Sequence, residues 1–100
     1  MRIDVLYFSD CPNYAPALAC VKAVLQQEGL TADIAEIEIK DESSAEAWQF
    51  FGSPTIRVNG LDIDPTSRIE AGTWFACRRY AGGLPSDEMI RAALKKALAP

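Results

Sequence analysis

The strongest constraint on the fold of this chain is the change of pattern at residues 9–14. The preceding run, residues 3–8, is short, apolar and rich in side chains that favour β-structure, which predicts a buried strand. Over residues 14–25 apolar side chains recur at intervals of four, three and four, which is typical of a helix with one buried face. Gly29 is a natural stop for that helix. The chain therefore predicts a strand that passes directly into a helix.

Cys11 lies at this passage and is the main candidate for chemistry. The pattern makes Cys11 the helix N-cap and Pro12 the first helical residue, a position where the missing N–H has no cost. Unpaired backbone N–H groups and the positive end of the helix dipole would then face the sulfur and favour the thiolate. Asp10 opposes this effect, and the chain contains no histidine to assist it. The alternative is a small residue that fills the corner between strand and helix.

The chain has three cysteines, and the other two are Cys20 and Cys77. Cys20 falls on the same predicted helix as Cys11, so their Cα atoms would be ~13 Å apart at the rise of an α-helix. A disulfide requires less than ~7 Å. We therefore expect Cys20 to be a small core or boundary residue and Cys11 to be the most reactive thiol. Cys77 precedes Arg78 and Arg79, whose charges would stabilise a thiolate if they turn toward it. The alternative is that Cys77 packs as a small apolar residue.

Length and composition exclude several classes of protein. A chain of 100 residues forms a single domain, residues 1–100. The net charge of −4, without a basic patch, argues against a nucleic-acid partner. No apolar stretch approaches the ~20 residues of a membrane span, so we expect no membrane partner. The first strand begins almost at Met1, which leaves no pattern of a secretory leader. An odd number of cysteines without such a leader indicates free thiols, and we expect a cytoplasmic protein.

The middle of the chain predicts a second strand and a second helix. Residues 32–39 alternate apolar and acidic side chains, as expected of a partly solvated strand. Ser43 and Glu46 fit a capping box that opens a short helix. This helix is expected to reach about Phe51, with Trp48 and Phe51 on one face that packs in the core.

The second half of the chain contains a hairpin and a closing helix. Pro54 begins a strand, and the pair Asn59 and Gly60 between two apolar runs is a strong signal for a tight hairpin turn. Residues 64–83 form an extra segment that includes a candidate strand at residues 73–80. A final amphipathic helix follows, capped by Ser86, and its expected buried residues are Ile90, Ala93, Leu94, Ala97 and Leu98.

Two motifs in this order resemble the thioredoxin-like superfamily. Cys11-Pro12-Asn13-Tyr14 aligns with the Cys-Pro-x-Cys active site of that superfamily. Ser53-Pro54-Thr55, followed by a strand and a tight turn, aligns with its cis-proline hairpin. The resemblance implies an α/β fold of order βαβαββα, with a central mixed sheet flanked by helices and the extra segment before the last helix. The chain is similar to the small bacterial members that stand alone.

The resemblance also implies roles for individual residues. Cys11 would be the nucleophile, with Pro54 in the cis form beside it and the backbone of Ser53 pairing with an extended substrate. Tyr14 stands where thioredoxins carry the resolving cysteine, which implies a monothiol site. The resolving thiol would come from glutathione, from a partner, or from Cys77 as a second catalytic residue. The substrate-binding residues implied in this way are Pro12, Tyr14, Ser53, Pro54 and Thr55.

Three functions follow from these features and stay open at this point. The first is a monothiol thiol–disulfide oxidoreductase that acts on a protein or small-molecule thiol or disulfide. The second is a binder of a soft metal, Cu(I) or Hg(II), through Cys11 and Cys77. A four-ligand zinc site is not expected without histidine, and neither is a cofactor. The third is a non-catalytic thioredoxin-fold module, with homodimer formation among its uses, whose contact surface contains Trp74, Phe75 and Tyr80. A Cys11 thiol that ionises readily favours chemistry, whereas a buried Cys11 favours the module.

Overall fold

The computed structural model of the chain describes residues 1–50, 52–64, 80 and 84–99. These residues contain a four-stranded mixed β-sheet and three helices, so the expected α/β class is confirmed. Most of the predicted extra segment, including the candidate strand apart from Tyr80, lies outside the described residues. The elements in chain order are β1 (Arg2–Tyr7), α1 (Tyr14–Gln27), β2 (Asp33–Glu38), α2 (Glu42–Trp48), β3 (Thr55–Val58), β4 (Leu61–Asp62) and α3 (Asp87–Leu98).

The strands lie side by side in the order β2-β1-β3-β4. β2 runs parallel to β1, whereas β3 runs antiparallel to β1, with Leu6 opposite Thr55. β4 pairs antiparallel with β3 through a tight turn in which Asn59 (φ 50°) and Gly60 (φ 84°) both have positive φ. Positive φ at both turn residues is the requirement of the favoured two-residue hairpin turn. The predicted hairpin is confirmed.

The sheet is covered on both faces. Successive side chains of a strand point to opposite faces, so Ile3 and Val5 of β1 enter one core and Leu6 enters the other. The first core packs the sheet against α1 and α3, and its buried members are Ile3, Val5, Ala17, Val21, Val24, Leu25, Ile56, Val58, Ile90 and Leu94. The second core packs the other face against α2, and its buried members are Leu6, Ile39, Ala45 and Phe50.

The start of α1 differs from its prediction. The N-cap is Asn13 and the helix begins at Tyr14, so Cys11 lies two residues before the cap and Pro12 lies before the helix. The reason is local hydrogen bonding. The Cys11 N–H donates to the Phe8 carbonyl (3.1 Å), and the Tyr14 N–H donates to the Cys11 carbonyl (3.5 Å). These bonds close two successive turns, which delay the first regular helical bond.

The end of α1 agrees with its prediction. Gly29 adopts a left-handed φ of 65°. The Leu30 N–H then donates back to the Leu25 carbonyl (2.9 Å), and the Gly29 N–H donates to the Gln26 carbonyl (3.2 Å). This pair of bonds satisfies carbonyl groups that the last helical turn leaves open, and glycine takes the left-handed conformation without a steric cost.

The predicted capping box of α2 is wrong by two residues. Asp41 is the N-cap, and its carboxylate accepts the Ser44 N–H at 2.7 Å. This hydrogen bond from Ser44 lowers the pKa of Asp41. The helix therefore begins at Glu42, and Ser43 lies inside its first turn. Asp and Ser cap helices about equally well, so the choice between Asp41 and Ser43 depends on where the chain leaves β2.

The core-facing residue at the end of α2 is Phe50. Gln49 takes a left-handed conformation (φ 52°), and the Phe50 N–H donates to the Ala45 carbonyl (2.8 Å). This turn directs Phe50 into the core, where it is 1% exposed, whereas Trp48 is 38% exposed. The prediction that Trp48 packs in the core is wrong, and Phe51 lies outside the described residues. The Arg57 guanidinium donates to the carbonyls of Trp48 (2.6 Å) and Gln49 (3.0 Å), which ties the end of α2 to β3.

The closing helix α3 begins where the sequence predicts. The Ser86 hydroxyl accepts the Met89 N–H at 3.1 Å, and Ile90 and Leu94 are fully buried against the sheet. Leu98 is 56% exposed, so its predicted burial is wrong. Leu98 is the last residue of the helix. Sequence periodicity alone does not show at which residue a helix extends beyond the sheet against which it packs. In the described part of the chain, the helices are too short or too polar to cross a membrane.

Candidate functional site

Cys11 lies in the tight turns that connect β1 to α1. Its side chain is 8% exposed, whereas Val5, Val21 and Ile56 of the first core have no exposure at all. Cys11 also belongs to neither of the two core clusters formed by the described residues. Cys11 is therefore buried at the end of the sheet and is not part of the main core.

The two predicted motifs lie at the same end of the β1–β3 pair. β1 and β3 are antiparallel, and their pairing ends with Leu6 opposite Thr55, so Phe8 and Ser53 each lie two residues beyond that last pair. The Cys11 N–H is bonded to the Phe8 carbonyl, so the Cys11 turn follows directly from this end of β1. The Ser53–Pro54 peptide bond at this place is cis. The turn of Cys11 and residues 52–55 therefore share this end of the sheet.

Side-chain hydroxyl groups help to hold residues 52–55. The Thr55 hydroxyl donates to the Gly52 carbonyl at 2.7 Å. The Tyr80 hydroxyl donates to the Pro54 carbonyl at 2.8 Å. The Ser53 hydroxyl, by contrast, is fully buried and has no hydrogen-bond partner within the described ranges.

The predicted substrate-binding residues differ in their accessibility. Pro12 is exposed and Tyr14 is half-buried, whereas Ser53, Pro54 and Thr55 are all buried. A substrate could therefore contact Pro12 and Tyr14 through their side chains. Residues 53–55 are buried as whole residues, with Ser53 at 0% and Thr55 at 2% exposure, so the expected pairing of the Ser53 backbone with an extended substrate stays a prediction.

Tyr14 is held by side-chain contacts with both β1 and β2. Its ring stacks on the ring of Tyr7, with centroids 3.7 Å apart and planes 8° from parallel. Its hydroxyl donates to the carboxylate of Glu36 on the neighbouring strand β2. Tyr14 thus fastens the start of α1 to the sheet.

Cys20 lies on α1, and its thiol donates hydrogen bonds toward the start of α3. Its Sγ is 2.7 Å from the Asp87 carboxylate and 3.7 Å from the Pro85 carbonyl. Partial burial and the Asp87 carboxylate raise the pKa of the Cys20 thiol to about 11. A thiol with so high a pKa holds little thiolate at neutral pH. This agrees with the expectation that Cys20 is a boundary residue; Cys77 lies outside the described residues.

Removing the charge of Asp87 is expected to make Cys20 more reactive. The Asp87→Asn variant should lower the pKa of Cys20 and speed its alkylation at pH 8 by up to about tenfold, since one pKa unit changes the thiolate fraction tenfold. Iodoacetamide labelling with peptide mass mapping measures the rate. Glu88→Gln removes an equal charge from the same helical turn and is the control. Equal rates in the two variants would contradict the Cys20–Asp87 contact.

Sequence reasoning missed the role of Tyr80. The sequence predicts an interaction surface that contains Tyr80 with Trp74 and Phe75, but Tyr80 is 3% exposed and its hydroxyl donates to the Pro54 carbonyl. Trp74 and Phe75 lie outside the described residues. No local pattern could reveal the Tyr80 contact, because it joins residues 26 positions apart. The acidic alternation of β2 predicted a solvated strand but not the bond between Glu36 and Tyr14.

Metal binding finds no support in the described part of the chain. No group of three or more His, Cys, Asp or Glu side chains there is arranged to hold a metal ion. The predicted two-thiolate site also needs Cys77, which is outside that part. The soft-metal hypothesis therefore stays a prediction.

Comparisons of the chain with protein-family models, with curated proteins and with solved structures found no match. A functional assignment therefore depends on the chemistry of its own residues and on the arrangement of its strands and helices.

Proposed function

We propose that this chain is a thioredoxin-like protein that performs monothiol thiol–disulfide exchange at Cys11. The observation that carries the proposal is the location of the Cys11 turn and of residues 52–55 at the same end of the β1–β3 pair. The order β2-β1-β3-β4, with one parallel and two antiparallel pairs, is compatible with a thioredoxin-like layout and supports the proposal. The strand order supports the fold alone, and the function follows from the residues of the site.

The proposed chemistry is a thiolate displacement. Cys11 loses its proton to solvent, and its sulfur attacks one sulfur of a disulfide R–S–S–R′. The bond between the two substrate sulfurs breaks, and R′–S⁻ leaves with the electron pair. The product is a mixed disulfide between Cys11 and R–S. Cys11 is oxidised in this step, and the leaving sulfur is reduced.

Release of the mixed disulfide requires a second thiol from outside the described site. Tyr14 carries no sulfur and is fastened to Tyr7 and Glu36. Cys20 is bonded to Asp87, and its pKa of about 11 leaves little thiolate for attack. We therefore assign the second step to an external thiol of the glutathione type or to a protein thiol, with Cys77 as the intramolecular alternative. The cytoplasmic location expected from the sequence would supply such thiols.

A second function is favoured by one observation. Cys11 is 8% exposed, and a buried thiol is the feature expected of a non-catalytic module. On that hypothesis Cys11 is a packing residue of the turn, and the chain acts through its surface alone. The accessibility of the Cys11 sulfur to a small disulfide separates the two functions.

The decisive experiment is capture of a mixed disulfide. The reduced protein is incubated with glutathione disulfide at pH 8 and examined by intact mass and peptide mapping. We expect one glutathione on Cys11, retained in Cys20→Ser and absent in Cys11→Ser. A glutathione adduct that accumulates only after Cys77→Ser would identify Cys77 as the resolving thiol. A folded wild-type protein that stays unmodified at Cys11, while the urea-unfolded chain reacts, would establish the module instead.

A further inference from the structure

The Ser53 hydroxyl differs from the other polar groups around it. The Gly52 carbonyl accepts from Thr55, and the Pro54 carbonyl accepts from Tyr80. The Ser53 side chain is 0% exposed, and its oxygen has no hydrogen-bond partner in the described part of the chain. The large majority of buried side-chain polar atoms in proteins have a partner, so an exception requires an explanation.

The position of Ser53 indicates what its partner could be. The β1–β3 pairing ends with Leu6 opposite Thr55, and Ser53 lies two residues before Thr55 at that end. The Phe8 carbonyl, two residues after Leu6, accepts the Cys11 N–H at 3.1 Å. Ser53 and the Cys11 turn therefore lie beyond the same end of the β1–β3 pair. A neutral thiol is a weak acceptor, whereas an ionised acceptor makes a shorter and stronger hydrogen bond.

We propose that the Ser53 hydroxyl is a positioning residue that donates a hydrogen bond to the Cys11 sulfur when this sulfur is anionic. The inference rests on the proposed function. The hydroxyl proton stays on Ser53, so no proton is transferred to the sulfur. The bond stabilises Cys11 both as the attacking thiolate and as the leaving group when an external thiol releases the substrate.

The test is the pH profile of Cys11 alkylation in Ser53→Ala. Loss of a hydrogen bond to a charged group should move the half-maximal alkylation rate to higher pH by about one unit. Ser53→Thr keeps a hydroxyl and should keep the wild-type profile. Ser53→Gly is a second hydroxyl-free variant in case the alanine side chain disturbs the packing. Circular dichroism confirms that each variant is folded.

Tyr80→Phe is the matched control. It removes a neighbouring hydroxyl, which is bonded to the Pro54 carbonyl, and so disturbs the same segment without removing the proposed donor. Its profile should remain that of the wild type. An unshifted profile in folded Ser53→Ala and Ser53→Gly, or an equal shift in Tyr80→Phe, would overturn the inference while Cys11 still reacts. A wild-type Cys11 that reacts at no pH would instead refute the proposed function.

Discussion

Replacing Tyr14 with cysteine is expected to convert the site into a dithiol that closes its own disulfide. The Tyr14 N–H donates to the Cys11 carbonyl at 3.5 Å, so the two residues are the ends of one tight turn. The ends of such a turn have Cα atoms less than ~7 Å apart, which is within the reach of a disulfide. A cysteine at residue 14 would therefore attack any mixed disulfide on Cys11 and release the bound thiol.

The control for this variant is Tyr14→Ser. Both substitutions remove the stacking on Tyr7 and the bond to Glu36, and only Tyr14→Cys adds a thiol. After treatment with glutathione disulfide, Tyr14→Ser should keep the glutathione on Cys11. Tyr14→Cys should instead show an intramolecular disulfide, seen as a loss of two hydrogens in the intact mass. Equal glutathione adducts on the two variants would mean that residues 11 and 14 do not meet.

Truncation of Phe50 is expected to cause a large loss of stability. The side chain is 1% exposed and belongs to the second core with Leu6, Ile39 and Ala45. Phe50→Ala should lower the free energy of unfolding by about 3–5 kcal/mol, the usual cost of removing a buried phenylalanine. Urea denaturation followed by circular dichroism measures the change.

Trp48→Ala provides the comparison within the same helix end. Trp48 is 38% exposed, so its loss should lower the free energy of unfolding by less than the loss of Phe50 does. The two variants test the turn at Gln49, which directs residue 50 and not residue 48 into the core. A larger loss in Trp48→Ala than in Phe50→Ala would show that α2 has a different register.

Features that depend on neighbouring residues were predictable from the sequence. The apolar run of β1, the stop at Gly29 and the hairpin turn at Asn59 and Gly60 all agree with the structure. The Ser86 cap of α3 agrees as well. Each of these depends on a local property, such as the allowed φ of a turn residue or a side-chain oxygen that caps the nearest N–H group.

The errors occur where two local solutions are nearly equal in energy. Asp41 and Ser43 are both good N-caps, and the structure uses Asp41. Likewise, the first turn after β1 could continue as a helix at Cys11, but hydrogen bonds among Phe8, Cys11 and Tyr14 delay the helix until Tyr14. The strand pairing and the packing around it choose between such alternatives, and they involve residues distant in the sequence.

For the candidate site, the sequence by itself determined the candidate residues: a cysteine after the first strand and a proline before the third. The tertiary structure decided what surrounds them. It brought the Ser53 segment to the same end of the β1–β3 pair as the turn of Cys11, fastened Tyr14 to Glu36, joined Tyr80 to Pro54 and gave Cys20 an acidic partner. The physical reason is that burial and hydrogen bonding at this end of the sheet arise from strands and helices that meet only after the chain has folded. The local conformation of a residue can be predicted from its neighbours in the sequence, but its partner in the tertiary structure cannot.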